Sequence, residues 1–327
     1  MENKQTTNTP ANMGKRIMSG LVILLVLAGF ILVRQISEST VFLFDILVGF
    51  LMLIGTFEVE GILRKMNRPA YTVGLGMFPI LCFVMLALSV VYNLGYVNFL
   101  LMIAGALILV AIICFIVGIS SKKCTLQQMY LDNFEGKRLD YVWQKTANTI
   151  FGNIYPTFLL CFLFLINHFT DFSNLEYASD IGLLGILLVF TSTMFADTSA
   201  MLCGRLIKTK KINLKKLGPG KSWSGLVGGI IGATIGAVVL FFILDNVGYA
   251  ETFAEYGIQF WQFLVGGIFC GIFNMSGDIT ASYLKRRAGV KDFSDFIPGH
   301  GGIMDRINGL VFNSLFAFLF LVIMFLA

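Results

Sequence analysis

Charge is scarce in this sequence. Asp, Glu, Lys and Arg supply 13% of its 327 residues against 57% hydrophobic ones, about half the charged share of a soluble domain. That balance excludes a soluble enzyme. Paired cysteines are missing as well: Cys82, Cys114, Cys124, Cys161, Cys203 and Cys270 stand singly, with no CxxC pair and no metal-ligand spacing. Neither a zinc site nor a disulfide framework is indicated, and the thiols read as reduced and structural. No segment repeats with a period of about 20 to 50 residues, and there are no matched halves of the kind that mark many transporters. Lys15, Arg16 and the apolar run to Val33 imitate a leader peptide, but Arg34 follows without a small-residue cleavage site. The run is therefore expected to stay as a first helix.

What the chain does have is apolar length. Stretches able to cross a hydrocarbon core, which takes about 20 residues, fall near 17–33, 41–57, 72–92, 96–119, 149–167, 181–203, 225–244, 257–277 and 307–327. They predict an all-α integral membrane protein of about nine transmembrane helices. With a cytoplasmic N-terminus, every Lys and Arg except Arg34 falls on the inner side, while the loops with Asp171, Glu176 and Asp180 and with Asp245, Glu251 and Glu255 carry none. This asymmetry predicts N-terminus in, C-terminus out. It also absorbs the net charge of +5 without any nucleic-acid partner. Residues 1–16 are expected to be a disordered cytoplasmic tail. Residues 17–170 then hold the N-terminal helices, with an amphipathic cytoplasmic segment at 120–148 carrying Leu126, Met129, Tyr130, Phe134, Leu139, Val142 and Trp143. Residues 181–327 are expected to form a second, C-terminal transmembrane region.

An ionisable group inside a bilayer costs about 2.5 to 3.5 kcal/mol at a helix centre, so those that persist need a reason. Asp278, Ser282 and Lys285 stand at i, i+4 and i+7 with Arg286 beside them, one helix face offering a carboxylate, a hydroxyl and cations. Such a set suits phosphate and a hard cation; the plainer alternative is a membrane-edge helix whose cations face lipid headgroups. Gly299, Gly301 and Gly302 bracket His300, and a helix starting near Gly302 or Ile303 would aim its amides and positive dipole end at an anion. Asp305 and Asn308, three apart, join Asp278 as candidate metal ligands. His300 in a glycine-rich turn reads as a structural hydrogen-bonder or, less commonly, a catalytic group. Gly220, Lys221 and Ser222 look like the end of a Walker A loop, but Lys215 occupies the first glycine position and no strand precedes it. Their expected role is to bring Lys221 and nearby amides to the same anion. Trp223 suits an interfacial anchor, and Asp197 either joins the site or caps local charge.

The run from Ser282 to Asn308 resembles the signature of the phosphatidate cytidylyltransferase (CDP-diacylglycerol synthase) family. Ser282, Leu284, Lys285, Arg286, Lys291, Asp292, His300, Gly301, Gly302, Ile303, Asp305, Arg306 and Ile307 match it. Ala196 with Asp197, and Pro219 through Trp223 with Gly225, also look like the family, and Glu58 is a faint counterpart in the first 150 residues. One position departs: the final aspartate of the pattern is Asn308. The resemblance implies that phosphatidate oxygen attacks the α-phosphorus of CTP, with pyrophosphate leaving and Mg²⁺ required; whether a second, monovalent cation shares the site stays open. It implies catalytic roles for Ser282, Lys285, Arg286, Lys291, Asp292, His300 and Arg306, nucleotide contacts from Lys221, Ser222, Gly299, Gly301 and Gly302, and metal contacts from Asp278, Asp305, Asn308 and Asp197. The expected setting is a multi-pass protein of the cell (inner or plasma) membrane with its site facing the cytoplasm.

Other readings stay open on the residues alone. A transporter of an anionic or lipid substrate would place charges near mid-span, and a related membrane lipid kinase would use ATP. A CDP-alcohol phosphotransferase needs an Asp-Gly opening that is not found. Gly228, Gly229, Gly232 and Gly236 give a small-residue face that serves either homodimerisation or internal packing.

Overall fold

The structure is a computed structural model, and it describes residues 22, 25–37, 40–173, 180–207, 222–297 and 301–326. Among them are α1 (Leu25–Arg34), α2 (Val41–Lys65), α3 (Thr72–Val91), α4 (Gly95–Ser120), α5 (Lys122–Leu131), α6 (Arg138–Gly152), α7 (Leu159–Asn167), α8 (Phe169–Ser173), α9 (Ile181–Leu206), α10 (Trp223–Leu244), α11 (Ala250–Glu255), α12 (Phe260–Arg287) and α13 (Met304–Phe325). The described residues contain no strand, only a bridge pairing Ile297 with Gly301. Eight helical segments are long and apolar enough to cross a membrane: α2, α3, α4, α6 with α7, α9, α10 with α11, α12 and α13. The protein is a multi-pass, all-helical membrane protein. Of the expected first span, 17–33, the described part is α1 and Val22, and α1 is shorter than a crossing. The tail 1–16 lies outside the described residues.

Local chemistry sets the helix ends. Ser222 caps α10 by accepting from Gly225 N at 3.1 Å, and Asp180 caps α9 by accepting from Leu183 N at 2.9 Å. Gln259 and Gln262 form a reciprocal box at the start of α12. At the other end of α12, Gly289 takes φ +70° and the chain closes through Gly289 N to Arg286 O and Val290 N to Lys285 O. This is a Schellman turn, which a side-chain-bearing residue would strain.

The expected amphipathic surface segment 120–148 divides in two. After α5, helix α6 starts at Arg138 and runs on toward the bilayer, burying Tyr141, Val142 and Lys145 while Leu139 and Trp143 stay exposed. Pro156, which cannot donate to a helix, interrupts the span between α6 and α7, and Tyr155 there is non-helical at φ −115°, ψ 104°.

The glycine face of α10 is spent inside the molecule. Gly228 and Gly236 pack on Cys203 and Phe195 of α9, and Gly229 on Met275 of α12. The four glycines of that face are buried, so close helix approach within one chain, rather than a second copy, explains them.

Polar groups gather in two layers at opposite ends of the spans. At one end Arg34 pairs with Asp180 and donates to Asn167 Oδ1 at 2.6 Å, Asn167 donates to Asp45 at 2.8 Å, and His168 bridges Asp45 and Asp171 at 2.8 and 2.7 Å. Asp45, a lone intramembrane acid in the sequence, is thus fully partnered. The other layer is where α2 and α12 end and α13 begins.

Candidate active site

Helix α12 carries Asp278, Ser282 and Lys285 on one face, as their spacing predicts, and remains helical through Arg287. The Schellman turn then returns the chain through Lys291, Asp292 and Phe293 toward α13. Lys285 donates to Asp305 Oδ1 at 2.5 Å, with the Asp305 side chain 4% exposed. The other carboxylate oxygen, Oδ2, accepts from Phe293 N at 2.8 Å and Gly302 N at 3.0 Å. Buried Phe293 covers the ammonium of Lys285, which sits 5.5 Å from its ring centre. Lys285, read from the sequence as a cation for substrate phosphate, is therefore bound to an internal carboxylate, and that pair pins the end of α12 to the start of α13.

Glu58 is the larger surprise. It projects from α2, is 7% exposed, and accepts from Ser294 Oγ at 2.5 Å, Ile303 N at 3.0 Å and Met304 N at 2.6 Å. It supplies both hydrogen-bond acceptors and negative charge to the N-terminus of α13, where orphan amides and the positive dipole end need them. The sequence suggested an amide cradle here for a bound anion. Instead the described amides of Gly302, Ile303 and Met304 serve the protein's own Asp305 and Glu58, and Gly301 N donates to Ile297 O.

The motif glycines follow from this arrangement. Gly301 adopts φ +84°, and a Cβ there would stand 2.9 Å from Asp305 Oδ2; one on Gly302 would stand 2.6 Å from Glu58 Oε1. Helices α12 and α13 cross where a Cβ on Gly277 would overlap the Asn308 carbonyl and one on Gly309 the Asn274 amide. The crossing brings Asp278 and Asn308 to the same junction.

Asn274, one turn before Asp278, was not singled out in the sequence. It is fully buried, donates to Asp197 Oδ1 of α9 at 3.0 Å, and leaves its Oδ1 without a hydrogen bond. Tyr155, at the α6–α7 break, is 3% exposed with an unbonded hydroxyl, within electrostatic reach of Asp278 and Asp305. The only sequence signals for these residues were an Asn inside an apolar run and a Tyr preceding Pro.

Other predicted residues are placed as follows. Arg286, Lys291 and Arg306 are exposed, and Ser282, Asp292 and Asn308 are half-buried, Asn308 Oδ1 accepting from Gly309 N at 2.7 Å. Ser222 is the α10 cap and is bonded to Ser224. His300, Gly299 and Lys221 lie outside the described residues. No three His, Cys, Asp or Glu side chains among the described residues gather into a metal-sized cluster. A cation would have to draw on amide as well as carboxylate oxygens. The orphaned Asn274 Oδ1, beside Asp197 and one turn from Asp278, is an oxygen of that kind, so the donor set fits a hard divalent ion.

The chain is 36% identical over 129 residues to the phosphatidate cytidylyltransferase of Haemophilus influenzae, covering 39% of this chain and 42% of that protein. It is 35% identical over 138 residues to the protein so named in Rickettsia conorii, 41% of this chain and 56% of the relative. With that of Thermotoga maritima the figures are 34% over 171 residues, 52% and 57%. The chain thus spans between 42 and 57% of the length of these relatives. The model of the cytidylyltransferase family matches residues 14–324, nearly the whole chain. The Lys285–Asp305 junction and the glycines that shape it thus lie in a sequence that belongs to the cytidylyltransferase family.

Proposed function

We propose that this chain is a membrane-embedded nucleotidyltransferase that makes CDP-diacylglycerol from CTP and phosphatidate and releases pyrophosphate. The observation that carries the reading is the convergence of the signature residues: Lys285 and Asp305, 20 positions apart, meet at 2.5 Å where apolar spans give way to exposed Arg286, Lys291 and Arg306. A site at that boundary can reach a soluble nucleotide and a lipid phosphate together.

Phosphoryl-type transfer asks mostly for positioning and neutralisation of charge. Arg286, Lys291 and Arg306 supply exposed cations for phosphate oxygens, and Ser282 a hydroxyl beside them. Lys285 holds the Asp305 carboxylate in place. Glu58 fixes the first turn of α13, from which Asp305 and Asn308 project. Asp278, Asp305, Asn308, Asp197 and Asn274 would hold Mg²⁺, which when bound neutralises the oxygens of the leaving pyrophosphate. His300 is proposed as a catalytic group, and Lys221 and Gly299 as nucleotide contacts.

We further infer nine spans, a cytoplasmic N-terminus and a site facing the cytoplasm, supported by the concentration of Lys and Arg at the α2, α12 and α13 ends of the polar layer.

The test is incubation of purified protein with α-labelled CTP, phosphatidate and Mg²⁺, beside Asp305→Asn shown to be folded. Labelled CDP-diacylglycerol from wild type alone supports the reading. Labelled lipid from γ-labelled ATP and diacylglycerol, with none from CTP, would replace it with a lipid kinase.

A further inference from the structure

A cleft of about 700 Å³ opens among α3, α4, α5 and α6. It lies across α2 from Asp305. Glu58 faces α13, whereas Glu60, roughly 200° around the same helix, binds Arg64 and Thr72, which line the cleft. Its volume falls within the range of about 300 to 1,000 Å³ typical of small-molecule sites.

The cleft contains a buried cation without an acidic partner. Lys145 is 6% exposed, and its ammonium meets Gln128 Oε1 at 2.8 Å and the faces of Tyr71 and Tyr141 at 4.8 and 5.6 Å. None of the ion pairs among the described residues includes it. The nearby acids are already held: Asp132 accepts from the Tyr141 hydroxyl at 2.5 Å, and Glu60 takes Arg64 at 2.6 Å. A buried charge that lacks a counter-charge costs several kcal/mol, and an ammonium has three donors to place.

Below Lys145 the walls turn apolar. Met77 of α3 and Val110, Ile113 and Val117 of α4 line the cleft, and Val110 lies roughly 15 Å of helix rise before the end of α4 at Ser120. A cationic mouth at the Lys- and Arg-rich end of the spans over an apolar shaft of that depth matches an anionic headgroup carrying an acyl chain. A free phosphate would use only the mouth.

We propose that this cleft binds an anionic phospholipid, with its phosphate on Lys145 and an acyl chain along Val110 and Ile113. The proposal is independent of the transfer reaction at Asp305, and its test does not read that activity.

Full-length protein, delipidated in detergent, is titrated with phosphatidylglycerol, phosphatidylcholine or inorganic phosphate, scoring lipid retained per chain by native mass spectrometry and the shift in melting temperature. Phosphatidylglycerol alone should be retained and should stabilise. Lys145→Gln should weaken its binding about tenfold or more, the equivalent of one charge-assisted hydrogen bond, and Lys145→Arg should keep it. Gln128→Glu supplies the missing counter-charge, so the lipid-free protein should melt higher and stop responding to phosphatidylglycerol; this variant carries the test if Lys145→Gln does not fold. Equal retention of the two lipids, unchanged binding in Gln128→Glu, or equal stabilisation by inorganic phosphate would overturn the proposal.

Discussion

Replacing Glu58 by Gln keeps the shape of the side chain but removes its charge and turns one acceptor into a donor. In the structure the two oxygens receive three hydrogen bonds, from Ser294, Ile303 and Met304. A Gln amide can satisfy one side of this set, but its NH₂ then faces a main-chain N–H that has no other acceptor. Leaving one such buried donor unmet costs roughly 1 to 3 kcal/mol, and losing the anion from the helix N-terminus adds about 0.3 to 2 kcal/mol. A total near 3 kcal/mol is expected. Because Asp305 sits in the same turn, its carboxylate should shift, and a displacement of about 1 Å can cost a hundredfold in rate. Stability can be read with a thiol-reactive dye, since Cys82, Cys114, Cys161 and Cys270 are free and buried until the protein unfolds. Transfer of labelled CMP to phosphatidate reads the rate. A Glu58→Gln protein that melts and reacts as wild type does would refute the assignment of Glu58 as the cap that positions Asp305.

Three further outcomes are expected. Gly302→Ala should reproduce the Glu58 defect in the same dye and transfer assays, because the added methyl would meet the held carboxylate at 2.6 Å. Asn308→Asp restores the family carboxylate one turn beyond Asp305, and it should lower the Mg²⁺ concentration needed for half-maximal transfer several-fold in a metal titration; no change would remove Asn308 from the metal contacts. For His168, burial pulls the pKa down, but hydrogen bonds and charge from Asp171 and Asp45 outweigh it and raise it from 6.5 to about 9. A raised folded pKa stabilises fully below the unfolded value and is lost as pH climbs through the folded one. Up to roughly 3 kcal/mol should therefore disappear between about pH 6.5 and pH 9. Melting curves across that window should show the decline, and His168→Gln should flatten it.

The membrane-spanning class was legible because about 20 apolar residues in a row have few other fates. The face carrying Asp278, Ser282 and Lys285 was legible because helical spacing is a local rule, and the start of α13 at Met304 fell within two residues of the expected Gly302. Glu58 was only faintly visible, because its partners Ile303 and Met304 are 245 and 246 positions away and no local pattern encodes such a distance. Asn274 and Tyr155 look like ordinary polar punctuation in apolar segments until the crossing of α12 with α13 and the break at Pro156 bring them to the junction.

The sequence by itself determined which segments could live in a bilayer, which end of each carries cations, and which residue types could handle phosphate. Only the tertiary structure decided how those residues are used. Burial of Asp305 and Glu58 made unpaired charge too costly, so Lys285 and the Gly302, Ile303 and Met304 amides became internal partners rather than free ligands for a substrate. The same cost bears on Lys145, which is buried and donates to the neutral Gln128.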